Sequence, residues 1–441
     1  MIMAASGPSE KKPVTVDGVL RTYVTITCLS TLAASFIWGI NTLFLLDAGL
    51  SITQAFAANA FFTAGQVLFE VPTGVVADML GRRASYLLGS VALFVSTLLY
   101  LLLWRLHGSF LAWALVSILL GLGFTFFSGA TEAWLVDGLT FANYGGTLEA
   151  AFAKGQIAAG AAMLTGTVTG GVVAQATNLG VPYLLRSITL ALTFAVAFVW
   201  MRDVGFTRER STSIPEKTRH ILRASLQHGF RNAPVRWLML AAPFEAGVGI
   251  YTFYAMQPYL LELYGHSGSY AVAGLAAAIV AGAQIVGGAI VPYAGRFFRR
   301  RTTLLVAGSV TSAATLALIG LAPGFVAALT LMGLWAVVFA ATMPVRQAFI
   351  NGLIPSRERA TVLSSYNLLG SSGGVIVQPA LGRAADVWGY STSYLAGAVI
   401  EILALPFILL ARRERAGSDL TQEDTLRGAW SQNRGMEESR D

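Results

Sequence analysis

Residues 74–83 read Gly-Val-Val-Ala-Asp-Met-Leu-Gly-Arg-Arg and join the second long apolar stretch of the chain to the third. Gly74 and Gly81 allow neighbouring helices to approach closely and the chain to reverse within a short turn. Asp78 precedes the pair Arg82 and Arg83, so the turn carries charges of both signs between two apolar segments. These residues indicate the fold class, because they have the form of a charged turn between two membrane spans.

The composition around this turn is that of an integral membrane protein. The chain has 441 residues, of which 55% are hydrophobic and 12% are charged, whereas about a quarter of the residues of a soluble domain are charged. The mean hydropathy of +0.63 is too high for a surface that faces water on every side. A water-soluble enzyme is therefore not expected. The single cysteine and four histidines give no support for a disulfide framework or a metal site.

Apolar stretches long enough to cross a bilayer, about 20 residues each, recur along most of the chain. They predict an all-α integral membrane protein with twelve transmembrane helices, at 22–46, 52–77, 84–104, 109–136, 149–175, 182–201, 236–261, 270–294, 302–322, 325–349, 361–381 and 391–411. An even number of spans places both termini on one side of the membrane. The first apolar run is too long for the core of a signal peptide and lacks a cleavage site, so no leader is expected.

The basic residues fall almost entirely on one side of these spans. Every Lys and Arg except Arg105, Arg186 and Arg383 belongs to the side of the termini. Because loops rich in Lys and Arg stay in the cytoplasm, both termini are expected to be cytoplasmic. The net charge of +7 is then explained by topology and by anionic lipid headgroups, with no need for a nucleic-acid partner. The preference for Arg over Lys suggests a bacterial genome, and hence a multi-pass protein of the bacterial inner (plasma) membrane.

The chain divides near its middle at a basic segment, 203–235, which separates six spans from six. The predicted organisation is a cytoplasmic segment at 1–21, an N-terminal bundle at 22–202, the linker, a C-terminal bundle at 236–411 and a cytoplasmic tail at 412–441. Apolar residues recur in the linker at roughly helical spacing. An amphipathic helix on the inner leaflet and a solvated linker both remain open.

The two halves carry traces of a duplication. Gln66-Val67 and Arg82-Arg83 are matched by Gln284-Ile285 and Arg300-Arg301 at one common offset. Further matches follow in the same order at a slowly drifting offset, as changes in loop length would produce. Parallel halves that flank a central cavity are a transporter architecture.

The charged turn resembles the signature of the major facilitator superfamily, which runs G-x-L-A-D-R-x-G-R-R/K between the second and third spans. Val76 and Met79 replace the usual Leu and Arg, and a degenerate second copy lies at 292–301. The signature is matched at Gly74, Ala77, Asp78, Gly81, Arg82 and Arg83. With twelve spans and a central basic linker, the resemblance covers the whole chain. It implies two six-helix bundles and a secondary active transporter, without enzymatic activity and without a cofactor.

The same resemblance implies a conformational latch on the side of the termini. In the family this loop holds the two halves together in the outward-facing state, a role that we carry over to Asp78 and Arg82. The arginines need acidic partners, and nearby carboxylates on that side belong to Glu132 and Asp137. The predicted latch comprises Gly74, Asp78, Gly81, Arg82, Arg83, Glu132, Asp137 and Arg346, the last of which aligns with Glu132 through the repeat. The alternative is that the loop arginines only set the topology.

Three acids lie within predicted spans and are candidates for proton coupling. An acid in a span is costly unless it faces a cavity or a partner. Burial disfavours its charged form, so it can bind and release a proton at physiological pH. Glu245 ranks first because the resemblance implies that the seventh span lines the cavity. Glu70 ranks second, since the adjacent Pro72 suggests a structural hydrogen bond, and Glu401 ranks third because an acid in the last span more often bonds to a neighbouring helix.

Polar and aromatic residues within the spans are candidates for lining a substrate cavity. Asn59, Thr63, Gln66 and Glu70 share one helical face by their spacing. Arg186 either snorkels to the outer interface or faces the cavity, and in the second case anionic substrates are expected. The candidates are Trp38, Asn41, Asn59, Gln66, Gln156, Arg186, Tyr251, Tyr254, Trp335 and Asn367.

The sequence therefore predicts a secondary active transporter that works by alternating access, with two bundles rocking about a central site. The favoured function is proton-coupled efflux, by an antiporter, of a small drug-like or amphiphilic compound, because a mostly apolar cavity suits such a ligand. Two further signatures of drug exporters are incomplete, at Ser117 and Thr167. Nutrient or metabolite uptake by symport, lipid flipping and a non-transporting membrane scaffold remain alternatives. The expected partners of the monomer are its solute, protons and the lipid bilayer.

Overall fold

Long helices account for nearly all of the chain in this computed structural model, which describes residues 14–127, 130–205, 219, 223, 229–266, 268–354 and 356–420. The helices of the first half are α1 (Val16–Trp38), α2 (Asn41–Asp47), α3 (Ile52–Leu80), α4 (Arg82–Leu106), α5 (Phe110–Phe127), α6 (Ala130–Phe141), α7 (Leu148–Ala176) and α8 (Gly180–Trp200). Those of the second half are α9 (Ala233–Tyr264), α10 (Tyr270–Phe297), α11 (Arg301–Gly320), α12 (Phe325–Asn351), α13 (Ser356–Ile402) and α14 (Leu405–Arg413).

Eleven helical stretches within the described residues are long and apolar enough to cross a membrane. The last of them, Val362–Arg413, contains the final two predicted spans. These spans are joined at Gly389, whose φ of 83° lies in the region that favours glycine, and there the chain turns back into the bundle. The prediction of an all-α integral membrane protein with twelve spans in two six-helix bundles is therefore confirmed.

The first predicted span, 22–46, is not one continuous helix. The α1 helix ends at Trp38 and α2 begins at Asn41, so the helix is broken within the span. A side chain of the other half satisfies both backbone groups at the break, since Gln257 donates its Nε2–H to the Trp38 carbonyl at 2.7 Å and accepts from the Thr42 N–H at 2.9 Å. The break survives in an apolar setting because these groups keep hydrogen-bond partners.

The described helices of the two halves meet mainly along two pairs, α3 with α13 and α7 with α10, with a smaller contact between α2 and α9. At the second pair the backbones approach closely. A Cβ added at Gly274 would lie 2.7 Å from the Thr167 carbonyl oxygen, and one added at Gly171 would lie 2.6 Å from that of Tyr270. Glycine is therefore required at both positions for the halves to pack in this way.

The helix ends define two faces of the bundle. One carries Arg21, Arg82, Arg202, Arg236 and Arg412, and is called the basic face below. The other is called the opposite face, where the loops between α2 and α3, α4 and α5, and α9 and α10 lie. The linker helix considered above falls mainly on 206–228, outside the described residues apart from 219 and 223.

In each half, an aspartate that follows the last span caps the N-terminus of another helix, α4 in the first half and α11 in the second. In the first half the N–H of Arg83 donates to Asp203 Oδ1 at 2.8 Å. In the second half the N–H of Thr302 donates to Asp419 Oδ1 at 2.8 Å, and the Thr302 hydroxyl donates to Oδ2 at 2.9 Å. A carboxylate at a helix N-terminus pairs with free N–H groups and with the positive end of the helix dipole. The duplication seen in the sequence thus extends to a matching tertiary contact.

Candidate functional site

A cavity of about 460 Å³ lies between the two halves, within the usual size range of small-molecule sites. Its walls come from α1 to α5, α7 and α8 in the first half and from α9, α10 and α12 in the second. The lining is mainly apolar and aromatic, with a few amide and hydroxyl groups and one arginine. Such a site can hold a small organic molecule and orient it through a small number of polar contacts.

Most of the sequence-predicted cavity residues come together here, namely Trp38, Asn41, Asn59, Gln66, Arg186, Tyr254 and Trp335. Three others lie elsewhere. Gln156 and Asn367 have exposed side chains outside the lining of this cavity. Tyr251 is buried in the second half, where its hydroxyl pairs with Ser393 and its ring packs against Tyr394. The cause is helical geometry, since Tyr251 points away from the face of α9 that bears Ile250 and Tyr254.

Several lining residues escaped the sequence analysis. Aromatic side chains from both halves, Phe62, Phe124, Phe253 and Phe339, form much of the wall. Gln284 of α10 also lines the cavity, as does Gln66 of α3. The sequence did hold a signal for Gln284, because it is the repeat counterpart of Gln66.

A chain of hydrogen bonds crosses the first half beside the cavity. The Tyr183 hydroxyl donates to Asn41 Oδ1 at 2.9 Å, and Asn41 Nδ2 donates to Asn59 Oδ1 at 2.9 Å. Asn59 is buried, and its Nδ2 group has no acceptor among the described residues. The chain therefore ends in an unused amide donor on a residue that lines the cavity.

Arg186 is buried, with 2% of its surface exposed, and lines the cavity wall. Its Nε–H donates to the Thr97 hydroxyl at 3.0 Å, and its guanidinium carbon lies 5.8 Å from the centroid of the Phe124 ring. Of the two positions considered for this side chain, it therefore takes the one that faces the cavity and does not extend to the membrane interface. No acidic side chain is among the described lining residues.

Hydrogen bonds between the halves lie at the level of the cavity or beyond it, toward the opposite face. Besides the Gln257 contacts, those among the described residues join the Thr42 hydroxyl to the Tyr254 carbonyl at 3.0 Å, Thr63 to Gln378 at 3.1 Å, Thr53 to Asp386 at 2.7 Å and Gln175 to the Ala271 N–H at 3.0 Å. Together with the close packing of α7 on α10, these contacts close the bundle between the cavity and the opposite face.

The predicted latch residues of the charged turn pair with groups of the first half. Arg82 lies 2.8 Å from Asp78 and 3.9 Å from Asp137. Arg83 donates to the Phe198 carbonyl at 2.6 Å and stacks on the Phe198 ring. Glu132 is exposed and forms no ion pair with either arginine in the described part of the chain.

The glycines of the latch have different surroundings. Gly81 has a φ of 107°, and a Cβ there would overlap the Asp203 carboxylate, so glycine is required at this position. Gly74 has open space around its Cα, so the structure gives no steric requirement for glycine at that position.

Arg346, also assigned to the latch, pairs instead with the first-ranked proton candidate. Its Nη2 lies 2.6 Å from Glu245 Oε2, and both side chains are buried. Glu245 is one turn from the cavity residue Gly249 on α9, and Arg346 is two turns from the cavity residue Phe339 on α12. The pair therefore lies on the cavity-lining sides of both helices, displaced from the cavity toward the basic face. Glu245 is thus next to the cavity rather than in its lining.

The other two acids differ in their surroundings. Glu401 is buried, with 5% of its surface exposed, beside Ser312 and close to Glu245 and Arg346. Glu70 is half-buried on α3, one turn beyond Gln66 toward the basic face, and its carbonyl accepts from the Thr73 hydroxyl at 3.2 Å. Within the described ranges, no three His, Cys, Asp or Glu side chains are grouped to hold a metal ion.

Comparison with known proteins decides the family. A family model described as Major Facilitator Superfamily matches residues 23–378 and, in an overlapping match, residues 292–436. This chain belongs to the major facilitator superfamily. The membership predicted from the charged turn is confirmed, and the protein is a transporter rather than an enzyme.

Solved structures of other transporters share the major facilitator fold of this chain. The nucleoside transporter NupG, in the form of a point mutant, is 13% identical over 88% of this chain and 99% of its own, with a TM-score of 0.72. A bacterial homolog of the human lysosomal transporter Spinster, inward-facing and occupied, is 16% identical over 93% and 100%, with a TM-score of 0.70. A D-xylose-proton symporter is 16% identical over 89% and 96%, with a TM-score of 0.65. None of the curated proteins compared with the chain matches it.

Proposed function

We propose that this transporter moves a small, largely apolar organic solute out of the cell by alternating access, in exchange for protons. The observation that carries the proposal is the cavity between the two halves, which is lined by both of them and closed toward the opposite face. We also propose that the basic face is cytoplasmic, because positively charged loops are retained on that side. Both termini would then be cytoplasmic and the membrane would be a bacterial inner membrane.

Alternating access is supported by the uneven distribution of contacts between the halves. The hydrogen bonds from Gln257, Gln378 and Asp386 bridge the halves at or beyond the cavity. On the basic face, Arg82 pairs with Asp78 and Asp137 of its own half. The described hydrogen bonds between the halves thus lie toward the opposite face, as expected of an inward-facing state. The latch would hold the halves together on the basic face when the bundles rock to open the opposite face.

Proton coupling is supported by the buried cluster of Glu245, Glu401 and Arg346. One guanidinium faces two carboxyl groups, and Glu245 already occupies it at 2.6 Å. A second buried carboxylate without a cation of its own is unfavourable, and binding a proton removes that charge. We therefore propose that Glu401 exchanges protons while the Glu245–Arg346 pair fixes its surroundings. This reverses the order in which the sequence ranked the two acids.

Efflux of an amphiphilic solute is supported by the aromatic wall formed by Phe62, Phe253, Trp335 and Phe339. Such a wall binds apolar bodies of different shapes, since stacking and edge contacts do not require one exact outline. We propose that the working unit is a monomer, because one chain supplies both halves of the cavity. The halves would be residues 22–202 and 236–411, joined by the linker at 203–235.

The deciding experiment uses everted membrane vesicles that contain the protein, with fluorescent amphiphilic dyes added outside and an imposed pH gradient that is acid inside. Proton-coupled efflux predicts dye accumulation inside these vesicles and its loss after an uncoupler is added. Movement in the reverse direction, driven by the opposite gradient, would instead support uptake by symport. Transfer of a labelled phospholipid without dye movement would support a flippase, and no movement of either would support a scaffold.

A further inference from the structure

We infer that the solute carries an anionic group, and that Arg186 and Asn59 bind this group on the first-half wall of the cavity. The inference rests on the proposed transport function and names the class of solute. It begins with the charge of the cavity, since Arg186 is the only charged side chain among the described lining residues. The binding site therefore has a fixed positive charge.

Burying an unpaired cation in a low-dielectric site is expensive unless a counter-charge or strong acceptors are present. The guanidinium of Arg186 is buried and keeps its proton under all physiological conditions. The described groups around it are all neutral, namely the Thr97 hydroxyl, the Phe124 ring and the side chains of Tyr100, Tyr183 and Tyr254. The counter-charge must therefore come from outside the described protein groups, and an anionic ligand supplies it.

The geometry of Arg186 leaves the appropriate atoms for such a ligand. Its contact with Thr97 uses Nε–H, and no described acceptor is hydrogen-bonded to the two terminal nitrogens. Those nitrogens form the planar fork that binds a carboxylate, sulfonate or phosphate through two parallel hydrogen bonds.

Asn59 provides a second donor on the same wall. Its Oδ1 is occupied by Asn41, which fixes the amide so that Nδ2 has no described acceptor. The hydrogen-bond chain continues to Tyr183, which precedes Arg186 by one turn of α8. Arg186 and Asn59 therefore both carry N–H donors without a described acceptor, as an anion requires.

The opposite wall has different chemistry. Apart from the Gln284 amide and the Tyr254 hydroxyl, the lining of the second half is apolar or aromatic, with Phe253, Trp335 and Phe339. A solute that satisfies both walls has an anionic head toward α3 and α8 and an apolar body toward α9 and α12. Organic cations are disfavoured because Arg186 repels them. The inferred class is therefore amphiphilic organic anions.

The test measures binding to the purified full-length protein in lipid nanodiscs by calorimetry, with no ion gradient present. The probes are matched pairs, each offered as a carboxylate and as its neutral carboxamide: naphthalene-2-acetate, 4-butylbenzoate and decanoate. We expect at least one carboxylate to bind about tenfold or more tightly than its amide, which corresponds to one strong charge-assisted hydrogen bond. If no carboxylate is preferred by the wild type, the inference is overturned.

Variants then assign the preference to the site. Arg186→Gln should remove it, Arg186→Lys should keep part of it, and Asn59→Leu should reduce it. The control Arg105→Gln changes an exposed arginine of the opposite face and should leave it intact. If Arg186→Gln still prefers the carboxylate, the assignment of the anion site to Arg186 is overturned. If Arg186→Gln does not fold, Asn59→Leu provides the test. Retention of the full carboxylate preference in Asn59→Leu would contradict an anion site shared by the two residues. The binding assay uses no ion gradient, so the absence of a carboxylate preference would not contradict proton-coupled transport. Conversely, the absence of transport in vesicles would not change the measured binding preference.

Discussion

Glu245 and Glu401 approach a single arginine, Arg346, inside the second half of the bundle. The two acids are far apart in sequence, and neither lies in the cavity lining. A change of charge at Glu401 would nevertheless act on the cavity, because α9 and α12 carry both the Glu245–Arg346 ion pair and part of the cavity wall. The proposed proton site and the proposed solute site are thus connected through these two helices.

The first prediction concerns Glu401→Gln. The amide has the shape of a protonated carboxyl group and cannot release a proton, so gradient-driven accumulation of solute should fall about tenfold or more, as expected when a group of this kind is removed. Downhill exchange of solute for solute should persist. Both are measured in everted vesicles with the same labelled dye. The control is Glu262→Gln, at an exposed acid of α9, and a Glu401→Gln protein that still concentrates solute like wild type would refute the assignment.

The second prediction concerns Asp78→Asn in the charged turn. The Asp78–Arg82 pair is partly exposed, and such pairs contribute about 0–1 kcal/mol to stability. Expression and thermal stability should therefore be unchanged, whereas transport should be lost if the pair is needed in the outward-facing state. Asp17→Asn, at an exposed acid of the basic face, is the control. Normal transport by Asp78→Asn would leave the loop arginines with a role in topology alone.

Sequence reasoning reached some of these residues and not others for identifiable reasons. Helical spacing alone placed Asn59 and Gln66 on one face, and that face lines the cavity. The partner of Arg346 was not accessible in this way, because the repeat aligned it with Glu132 whereas its contact is with Glu245 on another helix. Which of two nearby tyrosines, Tyr251 or Tyr254, faces the solute depends on helix packing, which no local pattern records.

At the scale of helices, the break between α1 and α2 places a contact between the halves beside the cavity. Hydropathy predicted one span there, since an interrupted helix is as apolar as a continuous one. The interruption is stable because Gln257, from the other half, binds the Trp38 carbonyl and the Thr42 N–H. The caps formed by Asp203 and Asp419 were likewise missed, because each acts on a helix distant in sequence.

The third prediction follows from this break. Gln257→Leu leaves two buried backbone groups without a partner, each at a cost of about 1–3 kcal/mol, so the purified protein should unfold at a lower temperature. The contact between the halves on the opposite face should also loosen, which makes Asn41→Cys more reactive toward a membrane-impermeant thiol reagent added from that side. Gln175→Leu removes an exposed contact between the same halves and should have a smaller effect. Equal reactivity in wild type and Gln257→Leu backgrounds would contradict this role.

At the scale of the whole molecule, the halves are joined at and beyond the cavity level toward the opposite face. The sequence predicted twelve spans, two bundles and a basic side, because length, hydropathy and charge are carried by composition over whole segments. It did not predict which side of the cavity is closed. That property depends on individual contacts such as Thr53 with Asp386, which join residues from different halves.

The fourth prediction tests this asymmetry. Cys28 is the only cysteine, so a Cys28→Ser background allows Thr53→Cys and Asp386→Cys to be joined by a short bifunctional thiol reagent. The crosslink should arrest transport by holding the opposite face closed, and reduction should restore it if the reagent is cleavable. Asp47 and Trp104 are hydrogen-bonded within the first half on the same face, so crosslinking Asp47→Cys to Trp104→Cys should leave transport intact. Unimpaired transport with the first pair crosslinked would exclude rocking at this face.

The buried arginine of the cavity also has an electrical consequence. A charge that is exposed alternately to two sides of a membrane experiences the membrane potential, which acts with about 2.3 kcal/mol per elementary charge per 100 mV across the full field. With the inferred anionic solute bound, Arg186 would be neutralised and the loaded carrier would move little net charge through its cavity. The carrier without solute would move a positive charge, so an interior-negative potential would favour the form that opens to the proposed cytoplasmic side and would assist the return of the carrier after efflux. The dependence of the turnover rate on voltage would therefore show whether the return of the carrier without solute or the translocation of the solute limits the rate.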